Sequence, residues 1–221
     1  MTSAAIAALL LACAPLAACS SGSDDTSGIP TYNPEAVASA RASESAAAAE
    51  ASASAAASAS AAGVVTPESL STDRYEVTAI PEDLDEQQTE ILKAFIDYDQ
   101  VTWNIWFTGT GVEKAEPLMT AEAYQSLKSN YEPIAGETVS GGLRVAVTAV
   151  VITSPNLANM QAEVRACSDQ SDLRSYDTSG QENTDPETLQ GRYDRIITMT
   201  YDGETWRTAD EQTVSTNECA V

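Results

Sequence analysis

The sequence predicts an α+β domain with N-terminal helices packed on a curved, mainly antiparallel sheet. Three observations carry that expectation. First, Ile91, Phe95, Tyr98 and Ile105 fall along one helical stripe, with Leu92, Ile96, Trp103 and Trp106 beside it. So wide an apolar face belongs to a helix lying against something large, such as a sheet. Second, the apolar period changes from helical to alternating over residues 145–152 and 160–167, the mark of strands. Third, Asp202-Gly203 lies between two alternating segments, the strongest short hairpin signal in the chain. Helices first and antiparallel strands after is the order of an α+β fold.

The 221 residues divide into three regions of different composition: 1–18, 19–80 and 81–221. The first holds an apolar run from Ala4 to Leu11, shorter than the roughly 20 residues a membrane-spanning helix needs. It ends in Leu16-Ala17-Ala18-Cys19, followed by Ser20-Ser21-Gly22-Ser23-Asp24-Asp25. Small residues at a cleavage site before a cysteine resemble the end of a bacterial lipoprotein signal peptide. That resemblance implies a cut before Cys19, a lipid (palmitate among its acyl chains) on Cys19, and a chain held on the extracytoplasmic face of the cell membrane. Met1-Thr2-Ser3 carries no Lys or Arg, so the signal is atypical or the start lies upstream. A secretory signal cut after Ala18 or near Ala14, with no lipid, is the alternative.

Residues 19–80 read as an acidic linker rich in alanine and serine. From Ala36 to Ala62 the chain is almost wholly Ala and Ser, relieved by Val37, Arg41, Glu44 and Glu50. Such a segment has nothing to bury and is expected to be disordered or partly helical, a spacer between membrane and domain. Residues 75–80 alternate weakly and are expected to pack onto the domain edge.

The domain proper, 81–221, is of ordinary single-domain size at about 140 residues. Pro81-Glu82-Asp83-Leu84-Asp85-Glu86 opens the long helix, which reads through Phe107 and is stopped by Thr108-Gly109-Thr110-Gly111. A second helical region follows around residues 112–115. A third starts at Thr120, an N-cap type, with Tyr124, Leu127 and Tyr131 on one face. In the first strand Val145, Val147, Ala149 and Val151 share one face and Ala146, Thr148, Val150 and Ile152 the other, as in a central strand covered on both sides. In the next, Met160, Ala162, Val164 and Ala166 oppose Gln161, Glu163, Arg165 and Cys167. Leu173-Arg174-Ser175-Tyr176 reads as a short strand. A two-residue turn at Asp202-Gly203 pairs Met199 with Trp206, Ile197 with Thr208, and Arg195 with Asp210, the last as a surface ion pair.

Charge and missing residue types restrict function. Thirty-three acidic against 11 basic residues give a net charge of -22, which argues against nucleic acid and against polybasic attachment to anionic lipid. The chain has no histidine, which removes Ser-His-Asp and Cys-His nucleophiles and the commonest transition-metal ligand. No cofactor is expected. The acidic stretches 168–172 and 177–185 lack the Glu and Gly positions of an EF-hand loop and read as plain loops. With Cys13 in the discarded signal and Cys19 carrying lipid, Cys167 and Cys219 remain as an even pair in an oxidising compartment, most simply a disulfide; two free thiols are the alternative.

Helix Thr89-Glu90-Ile91-Leu92-Lys93-Ala94-Phe95 with Tyr98, segment Val164-Arg165-Ala166-Cys167-Ser168-Asp169 and hairpin Met199-Thr200-Tyr201-Asp202-Gly203-Glu204-Thr205-Trp206, joined to the Cys19 motif, resemble the nuclear-transport-factor-2-like fold in its actinobacterial lipoprotein branch. The resemblance implies a cone-like domain with its pocket between the long helix and the concave sheet, lined by Tyr98, Trp103, Trp106, Met199 and Trp206. It also implies a tie from a mid-sheet cysteine to the chain end, which Cys219 suits. Enzymes of that fold use an Asp–His pair, which a chain without histidine cannot supply. The expectation is therefore a non-enzymatic, membrane-anchored lipoprotein of a Gram-positive, actinobacterial cell envelope. Its domain would bind an envelope protein, a peptide or a small ligand, or act as an accessory module. A pocket isomerase or lyase with an Asp base such as Asp97, or a Tyr base, is the second reading. A purely structural surface protein is the third.

Overall fold

The computed structural model describes residues 65–156 and 159–221. The signal segment, Cys19 and the Ala/Ser tract lie outside the described residues. No helix among the described residues is long and apolar enough to cross a membrane.

The packed fold begins before Pro81. Strand β1 (Tyr75–Ala79) lies within the stretch read as linker, yet Tyr75 and Val77 are buried. The weak alternation was sufficient because only these two side chains need face the core. Helix α1 (Glu86–Thr108) starts at Glu86 rather than Pro81. Asp83 is left-handed, with φ 57°, and Asp85 forms a capping box with Gln88 that satisfies two free helix amides. Ile91, Leu92, Phe95, Ile96, Tyr98, Ile105 and Phe107 are buried along its inner face, each apolar one contributing roughly 1.5–3 kcal/mol.

Gly109 ends α1 in the left-handed conformation, φ 67°. Its carbonyl accepts from the Gly136 amide and the Tyr131 hydroxyl, so the backbone at 136–137 runs close against it. A Cβ at Gly109 would sit 2.5 Å from the Glu137 carbonyl oxygen. Gly109→Ala is expected to cost about 2 kcal/mol, read as a lower urea midpoint at unchanged slope.

A 3-10 helix (Val112–Leu118) leads to α2 (Ala121–Tyr131), with Thr120 accepting from the Ala123 amide. Strand β2 (Thr138–Ser140) pairs antiparallel with β5 (Arg174–Tyr176) in a two-stranded sheet. The main sheet holds β3 (Leu143–Ser154), β4 (Gln161–Asp169), β6 (Arg192–Tyr201) and β7 (Trp206–Thr216), in the order β1-β3-β4-β6-β7. β1 runs parallel to β3 and the other pairs are antiparallel. A four-residue helix, α3 (Pro186–Leu189), precedes β6. This is the expected α+β class, with helices packed on a mixed, mainly antiparallel sheet.

Two irregularities decide which side chains face the core. In β3 the register shifts between Val147 and Ala149. Val145 and Val147 point inward before the shift and Val150 after it, while Val151 turns out and is 51% exposed. The strict alternation expected for this strand therefore fails at Thr148, the bulged residue. In the β6–β7 hairpin, Asp202 Oδ1 accepts from the Glu204 and Thr205 amides, both at 2.9 Å. The loop thus spans residues 202–205, and the observed pairs are Tyr201 with Trp206 and Met199 with Thr208. A further shift past Thr208 leaves Ala209 unpaired, setting Thr198 opposite Asp210 and Ile197 opposite Glu211. The expected pairing of Arg195 with Asp210 does not occur; Arg195 lies opposite Thr213.

Cys167 and Cys219 are joined as a disulfide, with Cα atoms 5.8 Å apart. Cys167 stands in register with Ala146 and Asp194, on the sheet face opposite Ala166 and Val164.

Candidate functional site

A cavity of about 590 Å³ opens between α1, α2, β6 and β7. Helix α1 supplies Tyr98, Trp103 and Trp106 to its wall, and α2 supplies Glu122, Ser126 and Leu127. Of the five side chains expected to line it, these three aromatics do. Met199 and Trp206 do not. Met199 is fully buried beneath Thr208, whose hydroxyl lies 3.4 Å from its sulfur. Trp206 is buried against Tyr201, with ring centroids 5.5 Å apart. Both side chains fill the core rather than the cavity surface.

The floor is a charged cluster. Asp99, from α1, is 1% exposed, and Arg195, from β6, is 5% exposed. The Arg195 guanidinium donates from Nη1 to Asp99 Oδ1 at 3.0 Å and from Nη2 to Oδ2 at 2.9 Å. Nη1 also donates to Glu211 Oε1 at 2.8 Å. The Tyr75 hydroxyl donates to Asp99 Oδ2 at 2.7 Å, and the Tyr98 hydroxyl to Glu211 Oε2 at 2.9 Å. Two carboxylates, one guanidinium and two phenols thus pair with one another, as buried charges must, with Arg195 Nε left without a hydrogen-bond partner.

Local geometry explains each placement. Asp99 follows Phe95 by four positions and Ile96 by three, so the 3.6-residue period sets it on the inner face. Arg195 shares the strand face of Ile197 and Met199 through alternation. Glu211 faces inward because Ala209 is bulged; an unbroken β7 would have turned Asp210 inward instead. Asp97, the carboxylate expected as a candidate base, is exposed.

The electrostatics follow from this packing. Burial, then the neighbouring carboxylates, push the hydroxyls of Tyr75 and Tyr98 well above the ordinary tyrosine range. Both phenols therefore stay protonated and act as donors. Burial would lower Arg195, but Asp99 and Glu211 together outweigh it and hold the guanidinium charged. Burial likewise would raise Glu211, but Arg195 and the Tyr98 hydroxyl outweigh it and hold the carboxyl below its usual range.

Among the described residues no three His, Cys, Asp or Glu side chains converge to hold an ion. In the acidic loops, Asp177 Oδ1 is used by the Ser179 and Gln181 amides, and Glu182 Oε1 by Arg174.

No family model and no curated protein matches the chain. Among solved structures it is similar to a ketosteroid isomerase-like protein from Erwinia carotovora atroseptica, at 15% identity and a TM-score of 0.42, over 60% of this chain and 99% of that one. It is also similar to the intermembrane space region of the chloroplast protein ARC6, at 9% identity and a TM-score of 0.40, over 60% of this chain and 98% of that one. Neither likeness carries chemistry across, so function is argued from the cavity's own residues.

Proposed function

We propose that the protein is a lipid-anchored extracytoplasmic protein of a Gram-positive cell envelope whose C-terminal domain binds a small ligand in the cavity beside α1. One observation supports the binding reading above the others. The cavity is open and aromatic-walled, yet its inward ionisable groups are already engaged with one another. A general base needs a free lone pair aimed at substrate and a pKa near the working pH. Asp99 spends both oxygens on Arg195 and Tyr75, and the two tyrosines keep their protons. The isomerase or lyase reading retains one geometric point in its favour, an inward aspartate beside a tyrosine. An aspartate clamped by a bidentate guanidinium suits architecture better than proton abstraction.

The anchor rests on Leu16-Ala17-Ala18-Cys19. In cells fed an alkyne-tagged fatty acid, the wild-type protein is expected to take up label and sediment with membranes. Cys19→Ser should lose the label completely and pass to the soluble fraction. An unlabelled wild type would overturn the anchor.

The binding reading is tested by native mass spectrometry of the full chain released gently from membranes. The wild type should carry a non-covalent small molecule. Ser126→Trp, which places an indole in the cavity from the exposed face of α2, should not. A wild type that is ligand-free under every growth condition would sink the reading.

A further inference from the structure

We infer that the ligand of this cavity is a small organic cation bearing an ammonium or quaternary ammonium group. The inference rests on the binding reading above and adds the ligand's chemical class. Four carboxylates line the cavity, those of Asp99, Glu122, Asp210 and Glu211, against one cation, Arg195. That cation is unavailable to an incoming anion: it is 5% exposed, and both terminal nitrogens are committed to Asp99 and Glu211. Glu122 and Asp210 are exposed and make no ion pair with any described residue. Glu211 keeps 32% of its side chain exposed.

The charge pattern thus has two layers. Deep in the site, Arg195 and Asp99 cancel. Nearer the opening, Glu211 shares that one guanidinium with Asp99, and Asp210 and Glu122 have no ion-pair partner among the described residues, so negative charge is in excess. A net charge of -22 over the chain adds a field of the same sign, which repels anions and draws cations toward the opening. The walls reinforce this. Tyr98, Trp103, Trp106 and Tyr193 border the same space, and aromatic faces attract ammonium groups, tryptophan most strongly. A neutral sugar could stack on these rings and donate hydroxyls to the carboxylates, but only a cation also offsets their charge. About 590 Å³ falls in the range of small-molecule sites.

The test uses the full chain with two cations, choline and agmatine, and the neutral carbon isostere of choline, 3,3-dimethylbutan-1-ol. The chain has three tryptophans, so its indole N–H signals in a two-dimensional NMR spectrum are few and are assigned with Trp103→Phe and Trp106→Phe. At least one cation is expected to shift the Trp103 and Trp106 signals and leave Trp206 in place. The isostere should bind at least ~10-fold more weakly than choline where choline is the binder. Asp210→Asn and Glu122→Gln, at exposed positions without ion-pair partners, should each weaken the cation by roughly 3-fold, and added salt should weaken it further. An isostere that binds as well as choline, or affinities indifferent to both substitutions, would overturn the cation while leaving small-ligand binding intact. No indole shift with either cation at saturating concentration would also overturn it. The Ser126→Trp comparison judges the binding reading separately.

Discussion

Asp99→Ala is expected to destabilise the domain by about 3–5 kcal/mol, a large part of the roughly 5–15 kcal/mol that holds a typical domain together. The cost comes from what is left behind. Arg195, 5% exposed, would lose both bonds to Asp99 and keep only Glu211. The Tyr75 hydroxyl, also buried, would lose its acceptor at 2.7 Å. A buried guanidinium reduced from two carboxylates to one, beside a buried phenol with no acceptor, is costlier than a missing methyl group. The measurement is the urea midpoint with its slope. Replacing both charges with apolar residues, Asp99→Leu together with Arg195→Met, should cost clearly less than the sum of the single changes, because it removes the stranded charge. A loss below about 1 kcal/mol for Asp99→Ala would mean that water reaches the cluster and that the ion pair does not organise the floor. A pH signature accompanies this. Glu211 is held below its ordinary value, since Arg195 and Tyr98 outweigh its burial. It is therefore deprotonated more readily in the folded chain than in the unfolded one. Its contribution is fully present above the unfolded value near ~4.3 and is lost as pH falls through the lower folded value. Asp194, held down chiefly by its hydrogen bond from Arg165, acts in the same direction. Glu211→Gln should accordingly make the acid limb of the stability profile shallower and leave the part due to Asp194.

The helical half of this fold was readable because its signals are local. The stripe from Ile91 to Ile105 and the cap at Thr120 depend only on neighbours within a few turns, and both elements appear where those signals put them. The start of α1 was misplaced because proline and acids suit a first turn, yet Asp85 with Gln88 offers a better cap a few positions later. The strands were readable as strands, but their pairing was not. A one-residue bulge reverses every later side chain, and neither Thr148 nor Ala209 differs in type from its neighbours in a way that marks it. That is why Val151 was expected on the same face as Val145; Met199 and Trp206 were expected at the cavity surface from the family resemblance, which does not resolve which inward side chains reach the cavity and which fill the core. The charged floor was half legible. The helical period places Asp99 beside Phe95 and Ile96, and strand alternation places Arg195 with Ile197 and Met199. Both were available as signals of buried charge, but the hairpin register assumed for Asp202-Gly203 drew Arg195 to Asp210 at the surface. Glu211 was not legible, because it faces inward only through the bulge.

Reduction of the Cys167–Cys219 bridge, or Cys219→Ser, is expected to cost about 4 kcal/mol by the chain-entropy argument for a loop of this length, the separation being 52 residues. At about 2–4 °C per kcal/mol for a domain of this size, the melting temperature should fall by roughly 10 °C. The loop is consequential because of what it contains: β5, α3, β6 and β7, and with them Arg195 and Glu211. Closing it in the unfolded chain removes states in which that half of the sheet is far from β4. The opposing consideration is that the chain end is already held by a second device. Asn217, at φ 65°, donates its amide to the Arg192 carbonyl at 2.6 Å and accepts the Arg192 amide on Oδ1 at 3.0 Å. These bonds keep the tail turned back on β6 in the native state, but they do nothing for the unfolded state, where the bridge acts. Asn217→Ala should therefore be the smaller change, about 1 kcal/mol, and nearly the same with the bridge intact or reduced. The double change should add to within ~0.5 kcal/mol. A bridge whose loss costs no more than Asn217→Ala would show that it merely fastens the last residues to the sheet, and the loop-closure account would fall.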